Sequence, residues 1–260
     1  MSASDLVPVA VINLRRSTQR REETERRLNA LGVPFTIFEA VDAQAMTPQQ
    51  IASLAPQPYL GRPLANGELA LAESFRRLLA GFVAEGGDYL CVLEDDAELT
   101  PATVHFMRRG TINALPPFDV LRLEDDPLRA GAFTRIVARH DGHAVHAPLR
   151  LGFFTWGQVF SRAGAQKVVD GLVPLWAPID NLLFREAGIV GLRVLEVRPG
   201  VVTERKVETD IPQRYAVKPR RTVKKVFNRK RALLARRCRA VWSYFQAWGW
   251  PGLLGLRLGR

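Results

Sequence analysis

Tyr89-Leu90-Cys91-Val92-Leu93-Glu94-Asp95-Asp96-Ala97-Glu98 runs five apolar or aromatic residues without a break into three acids. An unbroken apolar run this short suits a strand buried on both faces of a parallel sheet, since a half-exposed strand would alternate. In open α/β sheets the ligand crevice lies at the carboxyl ends of the strands. Glu94, Asp95 and Asp96 are therefore expected where such a fold does its chemistry. Adjacent carboxylates repel one another, and a cation relieves that repulsion. Oxygen-only ligands favour Mg²⁺ or Mn²⁺, often shared with a substrate phosphate. The plain alternative is an acidic turn that starts the next loop.

Upstream of this stretch, Val9–Leu14 reads as a first strand, and Ser17 can cap a helix that ends at Gly32. Phe35–Ala40 reads as a second strand leading to Val41-Asp42. Thr47-Pro48-Gln49-Gln50 is a capping box with proline at the first helical position. A longer helix is predicted from about Gly67, with Leu71, Phe75, Leu78, Leu79 and Phe82 on one side and a stop at Gly86-Gly87. Downstream, Thr100-Pro101 starts a helix and Val120–Leu123 is a short apolar strand. The order β-α-β-α-α-β-α-β calls for right-handed crossovers and a mostly parallel sheet. Arg135–Ala138 and Ala144–Ala147 are expected to form a hairpin beside the site. Phe153–Phe160 reads as a strand, Ser161 as a helix cap, Pro178-Ile179-Asp180 as a helix start and Leu192–Val197 as a last strand.

A chain of 260 residues with 47% hydrophobic content can bury a full core. Its net charge of +11 is uneven: thirteen of the 37 Lys and Arg residues, and no Asp or Glu, lie from Lys218 to Arg260. Met1–Val217 thus holds 24 basic residues against 26 acidic ones and is nearly neutral. Two parts are expected, a globular domain over 1–217 and a basic amphipathic segment over 218–260. Cys91 and Cys238 make no disulfide framework, which favours a reducing compartment. The N-terminus lacks the basic and apolar regions of a secretory signal. The longest uncharged run, Ala240–Leu256, contains proline and three glycines and is a poor spanning helix.

Several segments taken in order resemble the family 25 glycosyltransferases, which include bacterial lipooligosaccharide galactosyltransferases and collagen galactosyltransferase domains. They are Val11-Ile12-Asn13-Leu14 with Arg16, Ser17 and Arg20-Arg21; Ala40-Val41-Asp42; Gly67-Glu68; Val92-Leu93-Glu94-Asp95-Asp96-Ala97; and Asp119–Leu123. Ser161-Arg162-Ala163-Gly164-Ala165 and Pro178-Ile179-Asp180 complete the set, which spans roughly Val9 to Thr203. The resemblance implies an α/β, GT-A-like, Rossmann-type mixed sheet flanked by helices, here followed by the basic helical tail. It also implies a nucleotide-sugar donor (UDP-galactose in the known cases), Mn²⁺, and inversion at the anomeric carbon. The family's acidic metal motif would fall on Glu94 and Asp96, with Asp95 beside them. Two positions depart from the pattern. Phe75 stands where the family often has histidine, and Gly157-Gln158-Val159-Phe160-Ser161 replaces a segment that often reads Ala-Tyr-Leu-Ile-Ser.

The chemistry of the residues agrees. Transfer from a nucleotide sugar builds negative charge on a diphosphate oxygen, which a divalent ion held by carboxylates stabilises. Asn13, Leu14, Arg16 and Asp42 fall at predicted strand ends, where a nucleotide sits in a Rossmann-like half. Arginine there can fork onto phosphate, and Asp42 can accept from ribose or base. Glu68 is a further donor-site candidate, although near a helix start it can simply complement the helix dipole. An inverting transfer needs a base for the acceptor hydroxyl; Asp180 is the best candidate, with helix capping as its alternative role. Glu124, Asp125 and Asp126 are the runners-up. His140, His143 and His146 lie close together without a cysteine partner and read as a polar loop rather than a zinc site.

In the tail, Val223, Phe227, Leu234, Val241, Phe245 and Trp248 recur at helical spacing, with Lys224, Lys225, Arg229, Arg236 and Arg239 between them. A basic amphipathic helix with aromatic anchors is expected to lie on an anionic membrane surface, with nucleic acid as the rival partner. Deleting it is expected to leave the donor site working. Three functions follow: a metal-dependent glycosyltransferase acting on a bacterial lipooligosaccharide or other surface glycan, cytoplasmic at the inner face of the inner membrane; a catalytically silent relative that binds a glycan or partner; and a Mg²⁺-dependent nuclease using the same acids.

Overall fold

The structure is a computed structural model, and it describes residues 5–59, 62–124, 133–185, 189–205 and 223–258. The chain begins with β1 (Val9–Asn13), α1 (Thr18–Ala30) and β2 (Thr36–Glu39), then α2 (Pro48–Leu54) and α3 (Asn66–Glu85). The apolar stretch becomes β3 (Tyr89–Glu94), followed by β4 (Ala97–Leu99), α4 (Pro101–Phe106), α5 (Arg109–Asn113) and β5 (Val120–Arg122). A hairpin of β6 (Phe133–His140) and β7 (His143–Pro148) precedes β8 (Gly157–Ser161), α6 (Arg162–Gly171), β9 (Val194–Arg198) and β10 (Val202–Glu204). The long α7 (Val223–Leu254) and the short β11 (Arg257–Leu258) end the described chain.

Local chemistry explains several boundaries. α2 starts where the Thr47 hydroxyl accepts from the Gln50 amide while the Gln50 side chain accepts from the Thr47 amide, with Pro48 inside the first turn. α6 starts where the Ser161 hydroxyl accepts from Gly164 N at 3.1 Å. Gly164 is required there, because a Cβ at that position would lie 2.0 Å from the Asp119 carbonyl oxygen.

Among the described residues nine strands form one sheet in the order β11-β6-β7-β9-β5-β8-β3-β1-β2, and β4 pairs with β10 apart from it. β1 is parallel to β2 and to β3, and β5 is parallel to β9. The remaining pairings in this sheet are antiparallel. The sheet is therefore mixed, and the expectation of a mostly parallel one holds only for β2-β1-β3 and the β5-β9 pair. The reason is β8, which inserts antiparallel between β3 and β5 and so breaks the run of crossovers.

Both faces of the sheet are covered, as the unbroken apolar strands require. Val9, Val11, Cys91 and Leu93 pack with Leu28, Phe106 and Ile112 on one face. Ala10, Ile12, Leu90 and Val92 pack with Leu69, Leu79 and Val168 of α3 and α6 on the other.

Four expectations change. The hairpin forms, but β9, β5 and β8 separate it from β3, so it is not beside the acids. Its histidines lie on β6 and β7 rather than in a polar loop: His143 Nδ1 is 2.8 Å from the Pro199 carbonyl, and His146 is buried against the Thr134 hydroxyl. Burial pushes the His146 pKa down to about 4, which keeps the ring neutral. Phe153–Trp156 is an irregular segment rather than the start of a strand, and Asp180 is followed by a single wide turn, Asn181–Arg185, rather than a regular helix.

The tail is the largest correction. The boundary at 217/218 and the side chains of Val223, Lys224, Lys225, Phe227, Arg229 and Arg236 lie outside the described residues. The later part of α7 is not an appendage. Ser243 and Tyr244 are buried, Tyr244 donates to the Ala147 carbonyl at 3.2 Å, and Gly191 N donates to the Ser243 hydroxyl at 3.1 Å. Trp248 packs against the core under the Arg135 guanidinium, and β11 extends the sheet edge at β6. Among the described residues no helix is long and apolar enough to cross a membrane.

Candidate active site

The site grows from the pairing of β1 with β3. Ile12 lies opposite Glu94 in the parallel register, so Asn13-Leu14 and Asp95-Asp96 leave the sheet side by side. The buried Asn13 amide donates to Asp95 Oδ2 at 2.7 Å, and the Thr24 hydroxyl of α1 donates to the Asp95 carbonyl at 2.9 Å. One turn into α1, the Arg20 guanidinium is ion-paired to Asp95 and lies 3.5 Å from Asp96 Oδ2. From the far end of the chain, Arg205 N donates to the Asp96 carbonyl at 2.8 Å, and the Arg205 guanidinium donates to the Asp95 carbonyl at 3.1 Å.

Burial pushes the Asp95 carboxyl above the usual carboxylate range, and Arg20 and the Asn13 amide pull it back. Asp96 is raised by the same cause, opposed by Arg20 and reinforced by repulsion from Glu204. Asp96 Oδ1 is buried with no hydrogen-bond partner among the described residues. Glu94 accepts a hydrogen bond from the Thr155 hydroxyl.

The three acids and Arg20 line one cavity of about 170 Å³, where they come together with Leu14, Arg16 and Asp180. Arg16, Ala40 and Val41 also line an adjoining groove of about 910 Å³, which takes in Asp42, Arg76 and Arg77. Arg16 is ion-paired to Asp42 and holds that carboxyl below its ordinary pKa. The small cavity has room for one sugar-sized group, and the groove has room for the rest of a nucleotide.

Other expected residues fall into different places. Asn13 lies beneath the cavity as a brace rather than on its wall. Glu68 is buried off the cavity, where it forks with Arg62 at 2.9 Å and accepts from Ala65 N at 2.8 Å; it serves the start of α3. Asp180 lines the cavity, and its Oδ1 accepts from both the backbone and the side-chain nitrogens of Asn181 at 2.7 and 2.9 Å. Glu124 is wholly buried among Arg122, Gln158 and Gly157 N, a structural role that removes it as a base. Asp125 and Asp126 lie outside the described residues. Phe75 is core, edge-on to Phe160 at 6.4 Å, so the position where the family often has histidine does not face the cavity here.

Among the described residues no group of three His, Cys, Asp or Glu side chains forms a ready cation cage. Glu94 and Asp96 still fit a divalent cation that takes its other ligands from substrate phosphates and water. Both are hard oxygen donors on the cavity wall, and Asp96 Oδ1 has an unmet acceptor capacity.

The sequence reading missed Arg20, Phe154, Thr155, Trp156 and Glu204, all of which line the cavity. Arg20 carried a signal, four residues after Arg16 at a helix start, where both side chains share a face. The aromatic segment was hidden inside an expected strand.

Residues 7–126 match the family model described as Glycosyltransferase family 25 (LPS biosynthesis protein). Over 188 residues the chain is 29% identical to procollagen galactosyltransferase 1 of Danio rerio, covering 67% of this chain and 30% of that protein. Over 189 residues it is 26% identical to procollagen galactosyltransferase 2 of Homo sapiens, covering 67% and 29% respectively. A glycosyltransferase 25 family member of Drosophila melanogaster is 23% identical over 188 residues, covering 67% and 29%. The chain thus spans about 30% of the length of the curated relatives it matches.

Proposed function

We propose that the protein transfers a sugar, galactose, from a UDP-sugar to a glycan acceptor, a reading supported by the match of residues 7–126 to the family 25 glycosyltransferase model. The observation that carries the proposal is the convergence of Leu14, Arg16, Glu94, Asp95, Asp96 and Asp180 on one cavity at the ends of β1 and β3.

In this reading the nucleotide lies along the groove, with Arg16 toward phosphate and Asp42 toward ribose or base. Arg20 beside the acids adds positive charge close to the diphosphate. Glu94 and Asp96 would hold Mn²⁺ or Mg²⁺, which when bound supplies charge stabilisation for the departing diphosphate. Asp180 accepts the proton of the acceptor hydroxyl as that oxygen attacks the anomeric carbon. The bond from that carbon to the UDP oxygen breaks on the opposite face, its electron pair leaves with UDP, and the configuration inverts.

The acceptor we propose is a bacterial lipooligosaccharide or related surface glycan, met at the cytoplasmic face of the inner membrane. Support for a membrane surface comes from the excess of Lys and Arg after residue 217 and from exposed Trp242, Trp250 and Leu254 on α7. Gly249, at φ 63, turns the chain so that Trp250 meets Phe245 edge-on at 5.1 Å. The result is an apolar groove of about 550 Å³ flanked by Arg237. Aromatic and basic groups together suit the headgroup region of an anionic bilayer.

UDP-galactose hydrolysis with and without Mn²⁺ tests the activity. Mn²⁺-dependent release of UDP, lost in Asp96→Ala, is the expected result. No hydrolysis and no binding of any UDP-, GDP- or CMP-sugar in a thermal-shift screen would leave the silent-relative reading instead.

A further inference from the structure

The segment Phe153–Trp156, which enters β8, contributes Phe154, Thr155 and Trp156 to the cavity wall. Its backbone is unusual. Phe154 has φ 76, a left-handed conformation that bulky residues rarely adopt and that costs about 1–3 kcal/mol. Such strain persists only where the surroundings over-determine it.

Here the surroundings do so. The fully buried Arg122 donates to the Phe153 carbonyl and is itself held by Glu124 and Glu196. The Thr155 hydroxyl is tied to Glu94, the Trp156 carbonyl accepts from Glu94 N at 3.0 Å, and Gly157 N donates to Glu124 at 3.1 Å. The product of this bracing is an aromatic pair. Phe154 and Trp156 stack with centroids 4.0 Å apart and planes 13° from parallel. Both rings stay partly exposed, although Trp156 also packs against the core.

Position across the sheet suggests what the pair meets. β2, β1, β3 and β8 are successive neighbours, so Asp42, Arg16, the acids and the aromatic pair follow one another along the strand ends. In the glycosyl-transfer reading the nucleotide would lie at β1 and β2 and the diphosphate at β3, which leaves the next position for the sugar. A hexopyranose such as galactose presents an apolar C–H face, and an aromatic ring presents a negative π face that attracts polarised hydrogens.

We propose that Phe154, backed by Trp156, is the platform on which the apolar face of a hexopyranose stacks beside Glu94–Asp96. The proposal rests on the glycosyl-transfer reading only in expecting the sugar next to a nucleotide. The sugar is either the one carried by the donor or the one that accepts it, and the chemistry of stacking is the same.

Phe154→Gly is the decisive variant, because glycine takes a positive φ without penalty and the change removes the ring while easing the backbone. Phe154→Tyr keeps the π face and serves as the rescue. Thermal unfolding of both variants establishes that they are folded. Isothermal titration then uses UDP, UDP-galactose and lactose as probes, with Mn²⁺ present. A loss of roughly tenfold in affinity for UDP-galactose with UDP unchanged, restored in Phe154→Tyr, assigns the platform to the donor sugar. A similar loss for lactose with both nucleotides unchanged assigns it to the acceptor sugar. No loss for either sugar, or a parallel loss for UDP itself, overturns the proposal. If the native protein binds lactose through Phe154 but no nucleotide, the glycosyl-transfer reading falls while the platform stands. If it binds none of the three, both fall.

Discussion

Asn13 and Asp95 stand 82 residues apart in the chain and 2.7 Å apart in the fold, the amide of one donating to the carboxylate of the other. The bond joins the ends of β1 and β3 and fixes the carboxylate between an amide and the Arg20 guanidinium. Asn13→Ala should therefore lower stability by about 1.5–3 kcal/mol, the usual value of a hydrogen bond to a charged group. Urea denaturation at pH 7.5 measures it. An unchanged midpoint would mean that other contacts hold the strand ends together.

Asp96 is expected to trade stability for function. A carboxyl whose folded pKa lies above its unfolded value supports folding below the unfolded value, and that support is lost as pH rises through the folded one. Asp96 is such a group, raised chiefly by burial, so at pH 7.5 its charge works against the fold. Asp96→Asn should therefore raise the Tm there. The gain should vanish below the ordinary carboxylate range, and Mn²⁺-dependent donor binding should be lost at every pH. A variant less stable than the native protein at pH 7.5 would contradict the electrostatic account.

Asp180→Asn should leave the affinity for UDP-galactose unchanged and lower turnover about 10²–10⁴-fold, the contribution of a positioned base. Titration calorimetry and initial rates separate the two quantities. Unimpaired turnover would move the base elsewhere, with Asp125 and Asp126 next to test.

Arg122 is wholly buried between Glu124 and Glu196. Arg122→Met would strand both carboxylates in the core and release the Phe153 carbonyl, at a cost of about 3–5 kcal/mol. Denaturant midpoints check this. A loss under 1 kcal/mol would mean that water reaches the cluster and the bracing of Phe154 is weaker than its contacts imply.

Removing the whole basic segment is not a clean test of membrane binding, since Tyr244, Trp248 and β11 are part of the packed body. Trp242→Ser with Trp250→Ser changes exposed groups only. The double variant should fold normally and sediment less with vesicles of phosphatidylcholine and phosphatidylglycerol. Native binding should weaken with salt but leave a salt-resistant remainder, which purely electrostatic nucleic-acid binding would lack. Equal sedimentation of both proteins would remove the bilayer as a partner of this face.

The sequence by itself determined whatever is decided over a few residues. The apolar run of Tyr89–Leu93 suited a strand covered on both faces better than a half-exposed one, and the acids after it fall at that strand's end. Thr47 and Gln50 wrote their own helix start, and the imbalance of charge after residue 217 needs no fold to be seen. Tertiary structure decided which of those acids is braced, which is left with an open oxygen, and what surrounds them. Arg20 and Asn13 serve Asp95, β8 slips antiparallel between β3 and β5, and half of α7 is claimed by the core. Glu68 was drawn to Arg62 instead of the cavity, and Phe154 was forced into a conformation its own chemistry disfavours. These outcomes join residues tens of positions apart, and they are set by the burial and hydrogen bonding of the whole chain, against which the preferences of a single residue or a short window are small.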